Sequence, residues 1–190
     1  SYKIEHIMRS IYKIVVCSLL TLSITSCEKD LLEKEQYQKE IYLIGAYNRV
    51  WTTEVSYSNE EVKTYFTVSS SGTLALDRDV NVKMKINEEL VDIYNKKYWT
   101  VLNEDKYYKS LDTDLYSIPS LENTVIKHAE GISTEVPVLI KTASLKIDQS
   151  YVIPVEIEST TGYPVSTSGY KMLVLLKLKN EYSGSYQMSG

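Results

Sequence analysis

The residues that most often carry catalysis or hold zinc are scarce in this sequence. It contains two histidines and two cysteines, and beyond residue 30 only His128 remains of these four. A Ser-His-Asp triad would have to use His128, yet no Gly-x-Ser-x-Gly turn accompanies it. A zinc site needs three or four His or Cys ligands. We therefore expect His128 to be structural or exposed, and we expect no metal, no cofactor and no enzymatic activity.

Carboxylates are the remaining candidates for chemistry, with 25 Asp and Glu residues in the chain. Three short clusters are the candidates, Asp77-Arg78-Asp79, Glu104-Asp105 and Asp112-Thr113-Asp114. Such clusters could supply a glycosidase pair or calcium ligands, and their spacing alone does not decide between these roles. The Asp112 cluster lacks the Gly and distal Glu of an EF-hand loop, so solvated loop charge is the favoured interpretation. The seven glycines are scattered and form no phosphate loop.

Aromatic side chains are a stronger lead, since the chain has 17 Tyr and 2 Trp but one Phe. Tyr and Trp combine a flat apolar surface with a polar atom, which suits recognition of a sugar ring. The candidate ligand-binding residues are Trp99, Tyr107, Tyr108, Tyr116 and Trp51. Packing of Trp99 and two of these tyrosines over a helix end is the competing and favoured interpretation. A peptide could instead add as a strand to an exposed sheet edge, which needs no aromatic platform.

The start of the chain has the pattern of a secretory signal. Arg9 and Lys13 precede an apolar stretch from Ile14 to Ile24, which is too short to cross about 30 Å of hydrocarbon as a helix. Residues 1–7 precede Met8, a plausible initiator, and are interpreted as an upstream extension. We therefore assign residues 1–26 to this extension and a signal peptide.

The end of the signal, Ile24-Thr25-Ser26-Cys27, resembles the lipobox of bacterial lipoproteins. In such a motif Cys27 would be lipidated and become the new N-terminus, and several acyl chains together give stable anchoring. Glu28-Lys29-Asp30 is similar to the export tag of Bacteroidetes surface lipoproteins. Residues 27–39 are then a flexible tether. The expected location is the outer membrane, lipid-anchored and facing the cell exterior.

The charge of the chain excludes a general nucleic-acid binder. The formal net charge is −4, and it becomes −6 from Cys27 onward because the preceding residues carry +2. Neutralising phosphates requires clustered Lys and Arg. With Cys17 removed and Cys27 lipidated, no disulfide forms in the domain, so a packed core must stabilise it.

The elements that position these residues are mostly strands. Val80 to Ile86 alternates apolar and polar residues with period 2, as do Tyr151 to Glu158 and Met172 to Leu178. Pro154 predicts an edge or a bulge. Further strands are expected at Ile41 to Arg49, Val62 to Val68 and Val136 to Thr142. The fold class is thus mainly β, an antiparallel sandwich over residues 40–182.

One helix interrupts the strands. Leu90, Tyr94 and Tyr98 recur at intervals of four after Asn87, which predicts a helix of about three turns with Asn87 as its N-cap. We expect this helix to cross from one sheet to the other. The segment between Trp99 and Pro119 is expected to be irregular.

Three segments carry a family resemblance: VNVKMKINEELVDIYNKKY from Val80, LKIDQSYVIP from Leu145, and Asn180 to Gly184. They resemble the N-terminal domain of Bacteroidetes surface lipoproteins of unknown function. The resemblance implies an immunoglobulin-like β-sandwich and a role beside starch-utilisation-type uptake systems, in which a TonB-dependent transporter is capped by a nutrient-binding lipoprotein. Some such proteins continue into a glycan-binding module or a glycoside hydrolase domain. Residues 183–190 would be a C-terminal tail or the start of that second domain, in a short form or a fragment.

The expected function is a non-catalytic accessory of a TonB-dependent uptake complex for glycan or peptide, acting by ligand binding or by docking on the transporter. The alternative is a structural spacer or protein-interaction module with no ligand of its own. The ligand, the partner and the stoichiometry do not follow from the residues.

Overall fold

The computed structural model describes residues 38–99 and 101–179, which form a two-sheet β structure with one α-helix. Cys27, the signal at 1–26, most of the 27–39 tether and the 183–190 tail lie outside these residues. The strands are β1 Ile41–Leu43, β2 Val50–Ser56, β3 Glu61–Ser70, β4 Val80–Ile86, β5 Lys109–Ser110, β6 Tyr116–Ser117, β7 Thr124–Ile126, β8 Ser133–Lys141, β9 Tyr151–Thr160 and β10 Lys171–Lys179. The helix α1 is Glu89–Tyr98, and 3-10 turns occupy Ala46–Asn48, Val101–Lys106 and Thr113–Leu115.

The strands divide between two sheets. One has the order β1-β3-β8-β6, and the other has the order β2-β10-β9-β4-β7, with β5 added alongside β9. Most neighbours are antiparallel, whereas β2 runs parallel to β10 and β5 runs parallel to β9. The fold class is confirmed as mainly β and consistent with a β-sandwich. Among the described residues, no helix combines the length and apolar character needed to cross a bilayer.

The main core lies between the two sheets. Phe66 and Val136 contribute to it from one sheet, and Val82, Ile153 and Val174 from the other, all of them buried. Burying apolar side chains on the inner face of each sheet is what holds such a sandwich together, at roughly 25 cal/mol per Å² removed from water.

The period-2 interpretation of β4 is confirmed. Val80, Val82 and Met84 are buried, while the intervening side chains are exposed. The exposed row is charged, with Lys83 Nζ 2.7 Å from Glu158 Oε2 of β9. One face of this strand therefore contributes to the core and the other faces solvent.

Residues 41–49 do not form one strand, so that prediction was wrong. β1 ends at Leu43, Gly45 adopts φ +91°, and a 3-10 turn follows at Ala46–Asn48. The turn lets β1 pair with β3 in one sheet and β2 pair with β10 in the other. Both β1 and β2 bury some of their side chains. The apolar residues therefore continue through the turn, and their pattern does not show that the chain changes sheet there.

The prediction that Pro154 marks an edge was also wrong, because β9 lies between β10 and β4. The Asn87 N–H donates to the Pro154 carbonyl at 3.0 Å, and the Asn87 carbonyl accepts from Leu90 N–H at 3.1 Å. An N–H at position 154 would donate to the Asn87 carbonyl across the ladder. Because Pro154 has no N–H, that carbonyl accepts from Leu90 N–H of the helix instead. A register shift does occur in the pairing of β4 with β9, between Lys83 and Met84, and it leaves Glu158 without a register partner.

Candidate functional site

The helix α1 lies on the outer face of the six-stranded sheet. Leu90 and Val91 are buried against Val152 of β9 and Leu173 of β10. The predicted crossing of this helix from sheet to sheet is therefore wrong: its apolar face is held by alternate residues of two strands whose other face contributes to the main core. The helix begins at Glu89, so its N-cap is Glu88 rather than the predicted Asn87, although Asn87 Oδ1 accepts from Glu89 N–H at 3.2 Å.

A buried asparagine attaches the segment after the helix. Asn95, 4% exposed, donates from Nδ2 to the Tyr108 carbonyl and accepts at Oδ1 from the Tyr108 N–H, both at 2.9 Å. The segment then continues as β5, where Lys109 N–H donates to the Ser150 carbonyl at 2.9 Å. The chain returning from α1 is thereby fixed next to the helix, and its side chains face those of α1.

Three tyrosines, Tyr94, Tyr98 and Tyr108, form a cluster that we call the tyrosine stack. The rings of Tyr94 and Tyr108 are nearly parallel, with an interplanar angle of 10° and centroids 5.2 Å apart. The Tyr98 ring lies 4.5 Å from that of Tyr94 and is 47% exposed. Burial, with a further contribution from Tyr108, raises the pKa of Tyr94 to about 12. Tyr94 is therefore neutral at physiological pH, and the stack presents an aromatic surface that is partly open at Tyr98.

A groove of about 480 Å³ lies between α1 and the Tyr107–Ser110 segment. Its polar lining residues are Glu88, Glu89, Asp92, Asn95, Lys109 and Ser110. Ser110 Oγ donates to Glu88 Oε2, and the amide of Asn95 donates one hydrogen bond to the Tyr108 backbone and accepts one from it. Asp92 and Lys109 therefore offer an acceptor and a donor beside the Tyr107 and Tyr108 side chains. This combination suits an uncharged ligand that carries hydroxyl groups and an apolar ring face.

Of the five aromatic residues predicted from the sequence, the structure places two in the lining of this groove, Tyr107 and Tyr108. Trp99 follows directly after α1 and is half-buried, with Lys106 Nζ 5.7 Å from its ring centroid. Tyr116 and Trp51 instead pack against the main core. Burial raises the pKa of Tyr116 to about 12. The five residues do not form one platform.

Sequence reasoning missed Asn95 and the functional position of Tyr94. The spacing of Leu90, Tyr94 and Tyr98 predicts a helix, and it gives no sign that the ring of Tyr94 stacks on that of Tyr108. A signal for Asn95 was available, because it follows the buried Val91 by four residues and thus lies on the packed side of the helix. A polar residue at such a position needs a hydrogen-bonding partner.

His128 and the Asp77-Arg78-Asp79 cluster do not line the groove. Asp79 Oδ1 accepts from His128 N–H at 2.9 Å and lies 2.6 Å from His128 Nδ1, and the side-chain hydrogen bond with His128 lowers the pKa of Asp79. Asp77 pairs with Arg78 Nη2 at 2.8 Å, and the Tyr163 hydroxyl donates to it. In the part of the chain that the structure describes, no three His, Cys, Asp or Glu side chains come together as metal ligands.

Similar folds occur in solved Bacteroides structures. A Bacteroides ovatus protein of unknown function is 18% identical, with a TM-score of 0.60 over 78% of this chain and 48% of that one. An auxiliary nutrient binding protein from Bacteroides thetaiotaomicron is 18% identical, with a TM-score of 0.55 over 73% of this chain and 47% of that one. A putative carbohydrate binding protein from Bacteroides ovatus is 20% identical, with a TM-score of 0.51 over 73% and 36%.

This chain spans about half the length, or less, of these three proteins. The comparison with curated proteins finds no match. A protein-family model described as an N-terminal domain matches residues 37–164, about two thirds of the chain. The protein therefore belongs to this family of N-terminal domains, which has structural neighbours of unknown function in Bacteroides.

Proposed function

We propose that the protein is a non-catalytic carbohydrate-binding accessory of a nutrient uptake system. The observation that carries this proposal is the groove beside α1, in which Tyr107 and Tyr108 lie next to Asp92 and Lys109. Two structural neighbours, described as an auxiliary nutrient binding protein and a putative carbohydrate binding protein, support this choice of ligand.

Binding would use two kinds of contact. The apolar face of a pyranose ring would lie against the ring of Tyr107 or Tyr108, and the Asp92 carboxylate would accept hydrogen bonds from the sugar hydroxyls. Because Asn95 and the β5–β9 ladder already fix the segment that carries the two tyrosines, little ordering entropy is lost on binding. The groove would therefore act as a preformed site.

The test is calorimetric titration of the chain with a panel of neutral oligosaccharides. We expect Tyr107→Ala and Asp92→Ala each to weaken binding of whichever oligosaccharide binds by about tenfold, the effect of losing one well-formed contact. Tyr65→Ala is the matched control, because Tyr65 is an exposed tyrosine of β3 in the other sheet. Binding that survives both groove substitutions would exclude the groove, and the absence of binding to any saccharide would exclude the proposed ligand class.

The surface location is a further part of the proposal. It rests on the lipobox-like Ile24-Thr25-Ser26-Cys27 and the acidic residues that follow it. Cys27 would carry the acyl chains, and the anchored domain would act beside a TonB-dependent transporter and its nutrient-binding lipoprotein. We expect Cys27→Ala to abolish surface labelling of intact cells. A mature, membrane-anchored form of this variant would contradict the lipoprotein assignment.

A protein-docking module without a ligand is the second candidate, and one observation favours it. Ile93, on α1, is 54% exposed, and Leu102, in the 3-10 turn that follows α1 in the chain, is 93% exposed. Large apolar side chains left in water commonly mark contact surfaces. If docking is the function, Leu102→Glu will remove the chain from a purified transporter complex, whereas Tyr107→Ala will leave it there. Loss of glycan binding in Tyr107→Ala, together with co-purification that Leu102→Glu leaves intact, would favour the carbohydrate site instead.

A further inference from the structure

A second pocket lies on the other flank of α1. The residues Leu90, Ile93, Tyr94 and Lys97 line it from the helix, Arg49 lines it from the turn before β2, and Lys171 lines it from β10. The groove takes Glu88, the N-cap, and Glu89, Val91, Asp92 and Asn95 of the helix. Apart from Glu89, these groove residues have the spacing i, i+3, i+4, i+7 of the pocket residues, offset by two positions, which is about 200° of rotation at 3.6 residues per turn. The helix thus separates two sites.

The two sites differ in charge. Three carboxylates and one lysine line the groove, whereas three cations and no carboxylate line the pocket. The chain as a whole is acidic, with a net charge of −4. The three cations surround an apolar floor formed by Leu90 and Leu173. The pocket is therefore positively charged on a chain whose net charge is negative.

None of the three cations forms an ion pair within residues 38–99 and 101–179. Lys97 Nζ lies 5.6 Å from the ring centroid of Tyr98, and Lys171 Nζ lies 4.9 Å from that of Tyr170. Glu156 is the register partner of Lys171, but its carboxylate is taken by Asn87 Nδ2 at 2.6 Å and Lys85 Nζ at 3.5 Å. The positive charge of the pocket is thus not neutralised by an ion pair among the residues that the structure describes.

Arg49 reaches the pocket from a strained backbone. Its φ is +64°, the one positive φ of a non-glycine residue in the described part of the chain. Two hydrogen bonds fix this conformation, from Arg49 N–H to the Ala46 carbonyl and from Leu173 N–H to the Arg49 carbonyl, both at 2.8 Å. Asn or Gly would adopt this conformation with less strain. The backbone conformation therefore does not itself call for a long cationic side chain at position 49.

We propose that Arg49, Lys97 and Lys171 bind an oxyanion, a carboxylate or a sulfate, carried by one acidic residue of an otherwise neutral saccharide. This inference rests on the proposed carbohydrate-binding function and names the class of saccharide. The planar guanidinium of Arg49 can donate two parallel hydrogen bonds to an oxyanion, while the two lysines add point charges. The carboxylates of the groove disfavour a saccharide that is charged at every residue.

The experiment titrates the full chain with lactose, 3′-sialyllactose and 3′-sulfolactose, which share a neutral core and differ in the acidic group. We expect both acidic sugars, or the one whose oxyanion fits, to bind at least about tenfold more tightly than lactose, and the advantage to shrink as salt screens the charges. A preference for the sialylated sugar identifies a carboxylate, and a preference for the sulfated sugar identifies a sulfate.

Variants assign the effect to the pocket. Arg49→Asn should abolish the advantage of the acidic sugars without lowering the unfolding midpoint, because Asn tolerates the positive φ. Lys96→Ala is the matched control, since Lys96 is an exposed cation of the same helical turn outside the pocket lining. Equal affinities for all three sugars, or an advantage that survives Arg49→Asn, would overturn the inference and leave a neutral-sugar groove intact. Binding of no saccharide at all would overturn the proposed function together with it.

Discussion

The side-chain amide of Asn95 pairs with both backbone polar groups of Tyr108, thirteen residues later in the chain. One donor and one acceptor of a single side chain thus replace the two hydrogen bonds that a neighbouring strand would otherwise supply. This pair links α1 to β5 and keeps the wall of the groove at a fixed distance from the helix.

Asn95→Leu should remove this link. Both backbone groups of Tyr108 lose their side-chain partner, and leaving buried polar groups unpaired costs about 1–3 kcal/mol each. We expect the free energy of unfolding, measured in urea, to fall by about 2–4 kcal/mol. Asn81→Leu is the control, because Asn81 is an exposed residue of β4. Equal losses for the two variants would mean that the pairing contributes nothing.

Tyr116→Phe should leave stability unchanged or raise it by up to about 1 kcal/mol. The Tyr116 hydroxyl is buried and has no hydrogen-bonding partner among the described residues, so its removal eliminates an uncompensated polar group. Tyr163→Phe is the opposite case, because the Tyr163 hydroxyl donates to Asp77 Oδ1. Urea unfolding at pH 7 compares the two. A clear destabilisation by Tyr116→Phe would show that its hydroxyl has a partner in solution.

Tyr116 should also make stability fall at alkaline pH. Its folded pKa is about 12 against an ordinary value of 10.0, because burial favours the neutral phenol. Below pH 10 the Tyr116 phenol is neutral in the folded and the unfolded form, so its contribution to stability is constant. Between pH 10 and 12 it ionises first in the unfolded form, and its contribution decreases. Tyr116→Phe should reduce this decrease in the unfolding midpoint. The same slope in both proteins would contradict the raised pKa.

Gly45→Ala tests the turn that moves the chain between sheets. A Cβ at position 45 would lie 2.8 Å from Cε3 of Trp51, in addition to the strain of φ +91°. Gly131 has φ +129° and nothing within 4 Å of its added Cβ, so Gly131→Ala reports the backbone strain alone. We expect Gly45→Ala to lower the thermal stability further, by about 1–3 kcal/mol beyond the control. Similar values for both would show that the Trp51 ring moves aside without cost.

Local patterns in the sequence predicted the elements well. Alternation in Val80 to Ile86 identifies β4 because a half-buried strand exposes every second side chain, and a spacing of four in Leu90, Tyr94 and Tyr98 identifies α1. These patterns depend only on neighbours along the chain. They therefore survive without knowledge of which elements meet.

What the sequence could not provide is the set of non-local contacts. Tyr108 and Tyr116 lie in the same polar segment, yet one stacks on Tyr94 beside a groove and the other packs against the main core. Their residue type is identical, so only the path of the backbone separates their roles. Likewise, nothing local to Trp51 tells that β2 joins the sheet of β10 rather than that of β1.

The pairing of β2 with β10 joins residues that are about 120 positions apart, such as Trp51 and Val174. The entropy cost of closing a loop of that length arises before the stabilising contacts between the strands form. Such non-local pairing therefore slows folding. β2 has no other strand neighbour in its sheet, so its hydrogen-bonding groups stay unpaired until β10 has been synthesised. The six-stranded sheet can thus be completed only after β10, which ends at Lys179, has been made.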